Sequence, residues 1–253
     1  ADTILGGADG DFIYGGEGND ILDGEAGDDT IYFDKGDDNI TGGSGADNLP
    51  YEEQIITSSG IVVNRTDTGA TVDVGTDGTD TLADHIETII GTGLNDRFNG
   101  YVGTDNGNDY KDTFFGLSGD DIFDGGRGDD YIDGGTHSSG DTITFETVST
   151  DVGVDINLDR DQTDTAGKTD FAVQEDGFGG KDYVTNVEHI IGSKNNDKLA
   201  GRDDSDNTIQ GGDGDDTLYY TDGNDRLYGG TTTAASGNDW LSFENSNIGS
   251  TYV

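Results

Sequence analysis

Residues Gly15-Gly16-Glu17-Gly18-Asn19-Asp20-Ile21-Leu22-Asp23 spell a nine-residue word, Gly-Gly-x-Gly-x-Asp-x-(large apolar)-x, whose repetition decides the fold. Gly125-Gly126-Arg127-Gly128-Asp129-Asp130-Tyr131-Ile132-Asp133 and Gly211-Gly212-Asp213-Gly214-Asp215-Asp216-Thr217-Leu218-Tyr219 are equally clean copies. Self-similarity at a fixed period marks a stacked coil, in which each unit buries its apolar side chain against its neighbours. One apolar site per copy gives Ile4, Ile13, Leu22, Ile31, Ile40 and Leu49, then Phe98, Phe114, Phe123, Ile132 and Ile143, then Leu199, Ile209, Leu218, Leu227 and Leu241. Two residues upstream of each stands an aspartate, with Asn207 the one exception. Chance does not hold two columns this clean in a chain so poor in hydrophobes.

The words fall into blocks. Block I covers 1–50, block II 91–144 with an irregular stretch at 100–115, and block III 192–242 with a word one residue long at 201–210. Segments 51–90 and 145–191 intervene, and 243–253 begins a third. Val72-Asp73-Val74 and Val154-Asp155-Ile156-Asn157-Leu158 alternate apolar and polar residues, the period of a half-buried strand. Both segments end alike, at Ile86-Glu87-Thr88-Ile89-Ile90 and Val187-Glu188-His189-Ile190-Ile191. Word block plus segment thus forms a superrepeat of roughly one hundred residues. The chain opens inside a repeat and stops inside a segment, and so reads as a piece of a longer protein.

Composition sharpens this. Among 253 residues stand 54 acidic and 12 basic ones, a formal charge of -42, with 44 glycines and one proline. Low apolar content at such charge describes a disordered polymer, whereas the regular apolar spacing describes a fold. Both hold if folding waits for a cation. Nucleic acid and anionic membrane need a basic patch and are poor partners, and no apolar run is long enough to span a bilayer. Without cysteine there is no disulfide framework, thiolate zinc site or thiol nucleophile.

Glycines at word positions 1, 2 and 4 open backbone angles closed to other residues, so the chain turns sharply with carbonyls converging. The trailing three residues form a short strand with the middle side chain inward. Two words complete a turn, so turns two words apart face each other across carbonyls and aspartates. Calcium takes six to eight such hard oxygens, while magnesium demands a tighter octahedron and keeps its waters. Zinc and copper prefer imidazole or thiolate, and the chain offers only three scattered histidines. Calcium is the ion this pattern selects.

These words resemble the RTX (repeats-in-toxin) nonapeptides, a calcium motif. The resemblance implies an all-β fold, a right-handed parallel β-roll with blocks in series joined by strand-rich segments. In that family positions 2, 4 and 6 of one word meet positions 1, 3 and 6 of the word two along at each ion. Carried over, Gly7, Asp9 and Asp11 face Gly24, Ala26 and Asp29, while Gly16, Gly18 and Asp20 face Phe33, Lys35 and Asp38. The same rule nominates Asp2, Gly27, Gly36, Gly43, Gly45 and Asp47 in block I. In block II it nominates Asp96, Asp112, Gly119, Asp121, Gly126, Gly128, Asp130, Gly135 and Asp141. In block III it nominates Asp197, Gly212, Gly214, Asp216, Gly223, Asp225, Gly237 and Asp239. Stacking gives roughly nine to twelve ions. Asp9 at position 4, Phe33-Asp34-Lys35 at a word opening, and the irregular stretches depart from the pattern. The resemblance also implies export by a type I secretion system and an extracellular or cell-surface location.

No enzyme constellation competes. The H-E-x-x-H and G-x-S-x-G patterns are absent, Gly167-Lys168-Thr169 lacks the upstream glycine of a phosphate loop, and His85, His137 and His189 are far apart. Asp159–Asp164 faintly resembles an EF-hand loop without its glycine. The reading is a non-catalytic calcium-binding module, structural or adhesive, of a larger extracellular protein. Two alternatives stay open: a folding and secretion tail of a toxin or exoenzyme, and a carbohydrate-binding module using outward aromatics such as Tyr14, Tyr32, Tyr131, Tyr219, Tyr228 and Trp240, with a surface or matrix glycan as partner.

Overall fold

The computed structural model describes residues 1–32, 35–51, 59–66, 69–83, 86–103, 111–158, 173–203, 205–230 and 237–243. Among these there is no α-helix, only a single 3-10 turn at Gly75–Asp77 and short strands, most of three residues. Strand length follows from the word, since a turn rich in glycine leaves only the trailing triplet to pair. The aspartate column, the adjoining turn and the apolar column therefore recur at the same place on each strand.

The strands make one long sheet and two shorter ones. The long sheet begins with the parallel strands Thr3–Gly7, Ile21–Glu25 and Asn39–Thr41, each eighteen residues after the last in register. Phe12–Tyr14, Thr30–Tyr32 and Asn48–Pro50 alternate with them in the first short sheet. Odd and even words thus lie on opposite walls of a parallel β-roll.

Block II does not start a new roll. Thr88–Ile90 pairs with Asn48–Pro50 on one side and Thr113–Phe115 on the other, carrying the first short sheet from block I into block II. On the long sheet an antiparallel meander, Val62–Thr66, Gly69–Asp73 and Thr79–Leu82, is spliced between Asn39–Thr41 and Arg97–Asn99. The long sheet continues through Ile122–Asp124, Thr142–Thr144, His189–Ile191 and Thr208–Gln210 to Arg226–Tyr228. The first short sheet ends at Tyr183–Thr185. Opposite block III a second short sheet replaces it, built from Val173–Glu175, Asp155–Asn157, Lys198–Ala200, Thr217–Tyr219 and Trp240–Ser242. Both intervening segments are therefore strand-rich, and they add strands to the sheets of the words.

The core is the apolar column. Leu22, Ile31, Ile40, Leu49, Phe98, Phe114, Phe123, Ile132, Ile143, Leu199 and Ile209 have no exposed surface, and Ile13 and Leu218 retain 3%. The segments supply residues to the same column: Leu82 pairs with Ile40, Val63 with Phe98, Ile89 with Leu49, Val184 with Ile132 and Ile190 with Ile143. Phe98 and Phe123 stack within it at 5.0 Å between centroids. Three expected members fall short. Ile4 and Leu227 are only partly buried and Leu241 is half exposed, because each lies on the first or last described strand of its sheet and is covered on one side only. Val154, Ile156 and Leu158 are buried, as their alternation predicts.

Candidate metal centre

The aspartate preceding most of the word strands turns inward at the edge of the core, whereas the nominated Asp2 and Asp239, before the end strands of their sheets, are exposed. Asp20, Asp29, Asp38, Asp47, Asp96, Asp112, Asp121, Asp130, Asp141, Asp197 and Asp216 are all buried. One carboxylate oxygen of each makes a structural bond across the stack. Asp2 N–H donates to Asp20 Oδ1 at 2.5 Å, Asp11 N–H to Asp29 at 2.7 Å, Asp20 N–H to Asp38 at 2.7 Å and Asp29 N–H to Asp47 at 2.9 Å. The same step links Asp96 to Asp121, Asp112 to Asp130, Asp121 to Asp141, Asp197 to Asp216 and Asp216 to Asp239. Successive carboxylates thus climb the roll as ladders, one on each wall.

The second oxygen is what makes the ladder a candidate metal centre. Oδ2 of Asp20, Asp29, Asp38, Asp121, Asp130, Asp141 and Asp216 is buried without a hydrogen-bond partner. A buried carboxylate oxygen without a donor is costly unless a cation meets it. The cost shows in proton affinity: desolvation pushes Asp121 up to about 8, Asp216 to about 7 and Asp141 to about 6.

Glycine at position 1 makes room for that oxygen. A Cβ on Gly24 would lie 2.2 Å from Asp29 Oδ2 and 2.5 Å from the Gly42 carbonyl; on Gly211 it would lie 2.2 Å from Asp216 Oδ2 and 2.3 Å from the Gly229 carbonyl. The position-1 glycine is thus required by space rather than by backbone angle, which amends the expectation of a special conformation there. Positions 2 and 4 do take positive φ, as at Gly212 (107°) and Gly214 (118°). Glu25 and Leu117 hold position 2 at φ 70° and 71° without being glycine.

The carbonyls that the resemblance assigns to calcium line the same edge, and several are already engaged. Gly7 O accepts from Ala26 N–H at 2.9 Å, Glu25 O from Ser44 at 3.0 Å, and Lys35 O from Gly18 at 2.8 Å. Each carbonyl keeps a second lone pair for a cation. At position 4 the stack is tightest: a Cβ on Gly36 would sit 2.1 Å from Gly18 O and one on Gly45 1.9 Å from Gly27 O. Among the described residues no group of three or more His, Cys, Asp or Glu side chains is arranged to hold a metal alone. Any ion here therefore combines ladder carboxylates with main-chain oxygens, a donor set that fits calcium.

Not every nominated carboxylate has a free oxygen. Thr92 N–H donates to Asp96 Oδ2 at 2.6 Å and Ser193 N–H to Asp197 Oδ2 at 2.6 Å, with the Thr92 and Ser193 hydroxyls on the Oδ1 atoms. Thr221 caps Asp225 Oδ2 in a similar way, its hydroxyl at 3.0 Å. Asp112 is not of this kind: it is Oδ1 that is engaged, by the buried Arg65 Nη2 at 2.9 Å. Phe33 lies outside the described residues, as does the stretch 159–164 with its EF-hand likeness. His85 also lies outside them; His189 bridges the Ser139 carbonyl and Thr208 N–H, and His137 meets Glu188 at 3.1 Å.

The structure adds ladder members that the word pattern passed over. Asp80 accepts Asp38 N–H at 3.0 Å, Glu87 accepts Asp47 N–H at 2.8 Å, and Glu188 accepts Asp141 N–H at 3.1 Å. Asp182 accepts Asp130 N–H at 3.1 Å, with Lys181 N–H on Asp129 beside it. Residues 177–185, Gly-Phe-Gly-Gly-Lys-Asp-Tyr-Val-Thr, thereby stack on 125–133 as a further word. Its signal was present, a glycine pair and Asp-x-Val at the right spacing, though the opening Gly-Gly was displaced. A second, exposed ladder runs through position 5: Asp28 accepts Ala46 N–H at 2.9 Å, Asp37 accepts Thr79 at 3.0 Å, and Asp215 accepts Asn238 at 2.7 Å. Recurrent Asp or Asn at that position was its trace in the sequence.

This geometry agrees with the family match. The RTX calcium-binding nonapeptide repeat matches in four copies, at residues 1–32, 34–49, 106–136 and 202–231. The chain is thus a parallel β-roll that carries RTX calcium-binding repeats. No curated protein matches it. Among solved structures it is similar to the extracellular lipase LipA from Serratia marcescens, at 19% identity and a TM-score of 0.31. The likeness covers 89% of this chain and 32% of that one, so the chain spans about a third of that protein's length. No helix among the described residues is long and apolar enough to cross a membrane.

Proposed function

We propose that the chain is a non-catalytic calcium-binding module of a larger secreted or surface-attached protein, folding when it meets calcium outside the cell. One observation carries the reading: a climbing column of buried carboxylates, each bonded once across the stack, several with a second oxygen facing no donor. Calcium would supply that partner, with the ladder aspartates and turn carbonyls as ligands, and its binding free energy would add to that of a thin apolar core. Roughly nine to twelve ions would also relieve the self-repulsion of a chain at -42. Left without calcium, as in a low-calcium cytoplasm, the chain would stay extended and suited to type I secretion.

A structural or adhesive role suits a roll that lengthens by superrepeats. The folding tail of a toxin or exoenzyme is the main alternative, decided by what the parent protein carries. A glycan-binding role draws less support, because Tyr14 stacks on Tyr32 at 4.7 Å and Tyr131 on Tyr183 at 5.0 Å, each using a face that a sugar would need.

The test is far-UV circular dichroism of the chelator-treated chain titrated with calcium, against magnesium. A cooperative coil-to-β transition with calcium alone is expected. A chain fully folded in chelator would refute the reading.

A further inference from the structure

Residues 177–185 stack on block II as a word, but their turn is not built like the regular ones. In a regular word the position-1 glycine borders Oδ2 of its own ladder aspartate, as at Gly24 and Gly211. Gly177 does not. A Cβ there would meet Val148 Cγ1 at 2.6 Å and Cγ2 at 3.0 Å, and the Gly177 carbonyl accepts the Thr150 hydroxyl. The opening of this turn thus packs against residues 148–150 of the intervening segment.

A carboxylate from outside the word comes to the edge of the roll instead. Asp176 directly precedes the word and is 1% exposed. Its Oδ1 accepts the N–H groups of Phe178, Gly179 and Gly180 at 2.6, 2.8 and 2.9 Å, which shapes the turn. Its Oδ2 is buried without a hydrogen-bond partner, so the turn accounts for only half of this carboxylate. A Cβ on Gly180 would lie 2.5 Å from Asp176 Oδ2 and 1.9 Å from the Gly128 carbonyl oxygen. One notch therefore holds a carboxylate oxygen and a carbonyl oxygen, the pair also found in the notches at Gly24 and Gly211. Asp182 lies close by: burial pushes its carboxyl well above the usual carboxylate range, and the Asp176 charge pushes it further. Its Oδ2 too is buried without a partner. Arg127, in the facing turn, is engaged elsewhere, with its guanidinium 4.8 Å from the centre of the Phe178 ring and its Nε on the Gly103 carbonyl at 2.7 Å.

We propose that Asp176 is a calcium ligand supplied from outside the repeat, sharing an ion with Asp182 and the Gly128 carbonyl. Main-chain oxygen belongs to the set, because no three acidic side chains among the described residues hold a metal alone. A carboxylate added to ladder aspartates and carbonyls raises the charge of the donor set, which tightens calcium binding. The same ion fastens segment 145–191 to block II. This rests on the calcium reading above and deepens it, since no position of the nine-residue word assigns Asp176 to a site.

The test is the calcium-binding isotherm of the full chain, by equilibrium dialysis with atomic absorption. Asp176→Asn keeps Oδ1 for the three N–H bonds and replaces only Oδ2. It should lose one ion, or hold it about tenfold or more weaker, while its circular dichroism at saturating calcium matches the parent. A folded variant with the parent isotherm would overturn the proposal and leave Asp176 as the cap of its turn. If Asp176→Asn does not fold, crystals of the parent chain grown in calcium decide. Anomalous density about 2.3–2.6 Å from Asp176 Oδ2 supports the site, and its absence overturns it. Asp216→Asn, in a regular word, should also bind calcium less well. A parent chain that binds no calcium, or an Asp216→Asn variant with the parent isotherm, would instead strike the calcium reading itself.

Discussion

Asp216 shows what a single residue does in this fold. Its Oδ1 accepts Asp197 N–H at 2.9 Å and its Oδ2 lies in the notch left by Gly211. Gly211→Ala would put a methyl group on that oxygen, so we expect calcium affinity to fall at least tenfold in isothermal titration calorimetry while the ladder bond persists. Glu25 tests the reverse. At φ 70° it pays a conformational cost that glycine avoids, so Glu25→Gly should stabilise the calcium-loaded roll by about 1 kcal/mol in urea unfolding. The aspartate and apolar columns were legible residue by residue because each recurs nine apart. Arg65 was not, since a lone arginine in an alternating strand carries no sign that it faces inward. Nor did the sequence reveal that Thr92 and Ser193 engage their carboxylates, because a hydroxyl at position 2 looks like any tolerated substitution.

At the scale of the element, a three-residue strand survives only through its neighbours. Ile31 pairs with Ile13 across the wall and is fully buried. Ile31→Ala should therefore cost about 2–5 kcal/mol, read as a raised calcium midpoint for folding. Leu241→Ala, at half exposure, should cost much less. The blocks were readable as coils from their spacing, and the segments as strand-rich from alternation. Their pairing partners were not readable, because register across forty residues is set by packing that leaves no local trace. Segment 51–90 ends on the first short sheet and segment 145–191 on the long one, although their closing sequences are nearly the same. Glu87 and Glu188 both enter the ladder all the same, one methylene longer than aspartate and in words without glycine turns.

Over the whole molecule the buried carboxylates couple folding, calcium and protons. In the metal-free roll, desolvation lifts Asp121 to about 8 and Asp80 to about 7, above the roughly 3.9 of an unfolded aspartate. The folded metal-free state then holds more protons than the unfolded one between about pH 4 and 8. Its stability is greatest below that window and is lost as pH rises through it. Calcium reverses the trend, since it must displace those protons. Calcium binding should therefore release protons at pH 6, seen as a binding enthalpy that varies with the ionisation enthalpy of the buffer, and affinity should weaken from pH 8 to pH 5. Affinity independent of pH would mean that the raised carboxylates are not ligands.

The most direct measurement is anomalous diffraction from crystals grown in calcium, which locates each ion. The account predicts density between stacked turns beside the free oxygens of Asp20, Asp29, Asp121, Asp130 and Asp216. Ions confined to the outer surface, with the ladder aspartates uncoordinated, would contradict it.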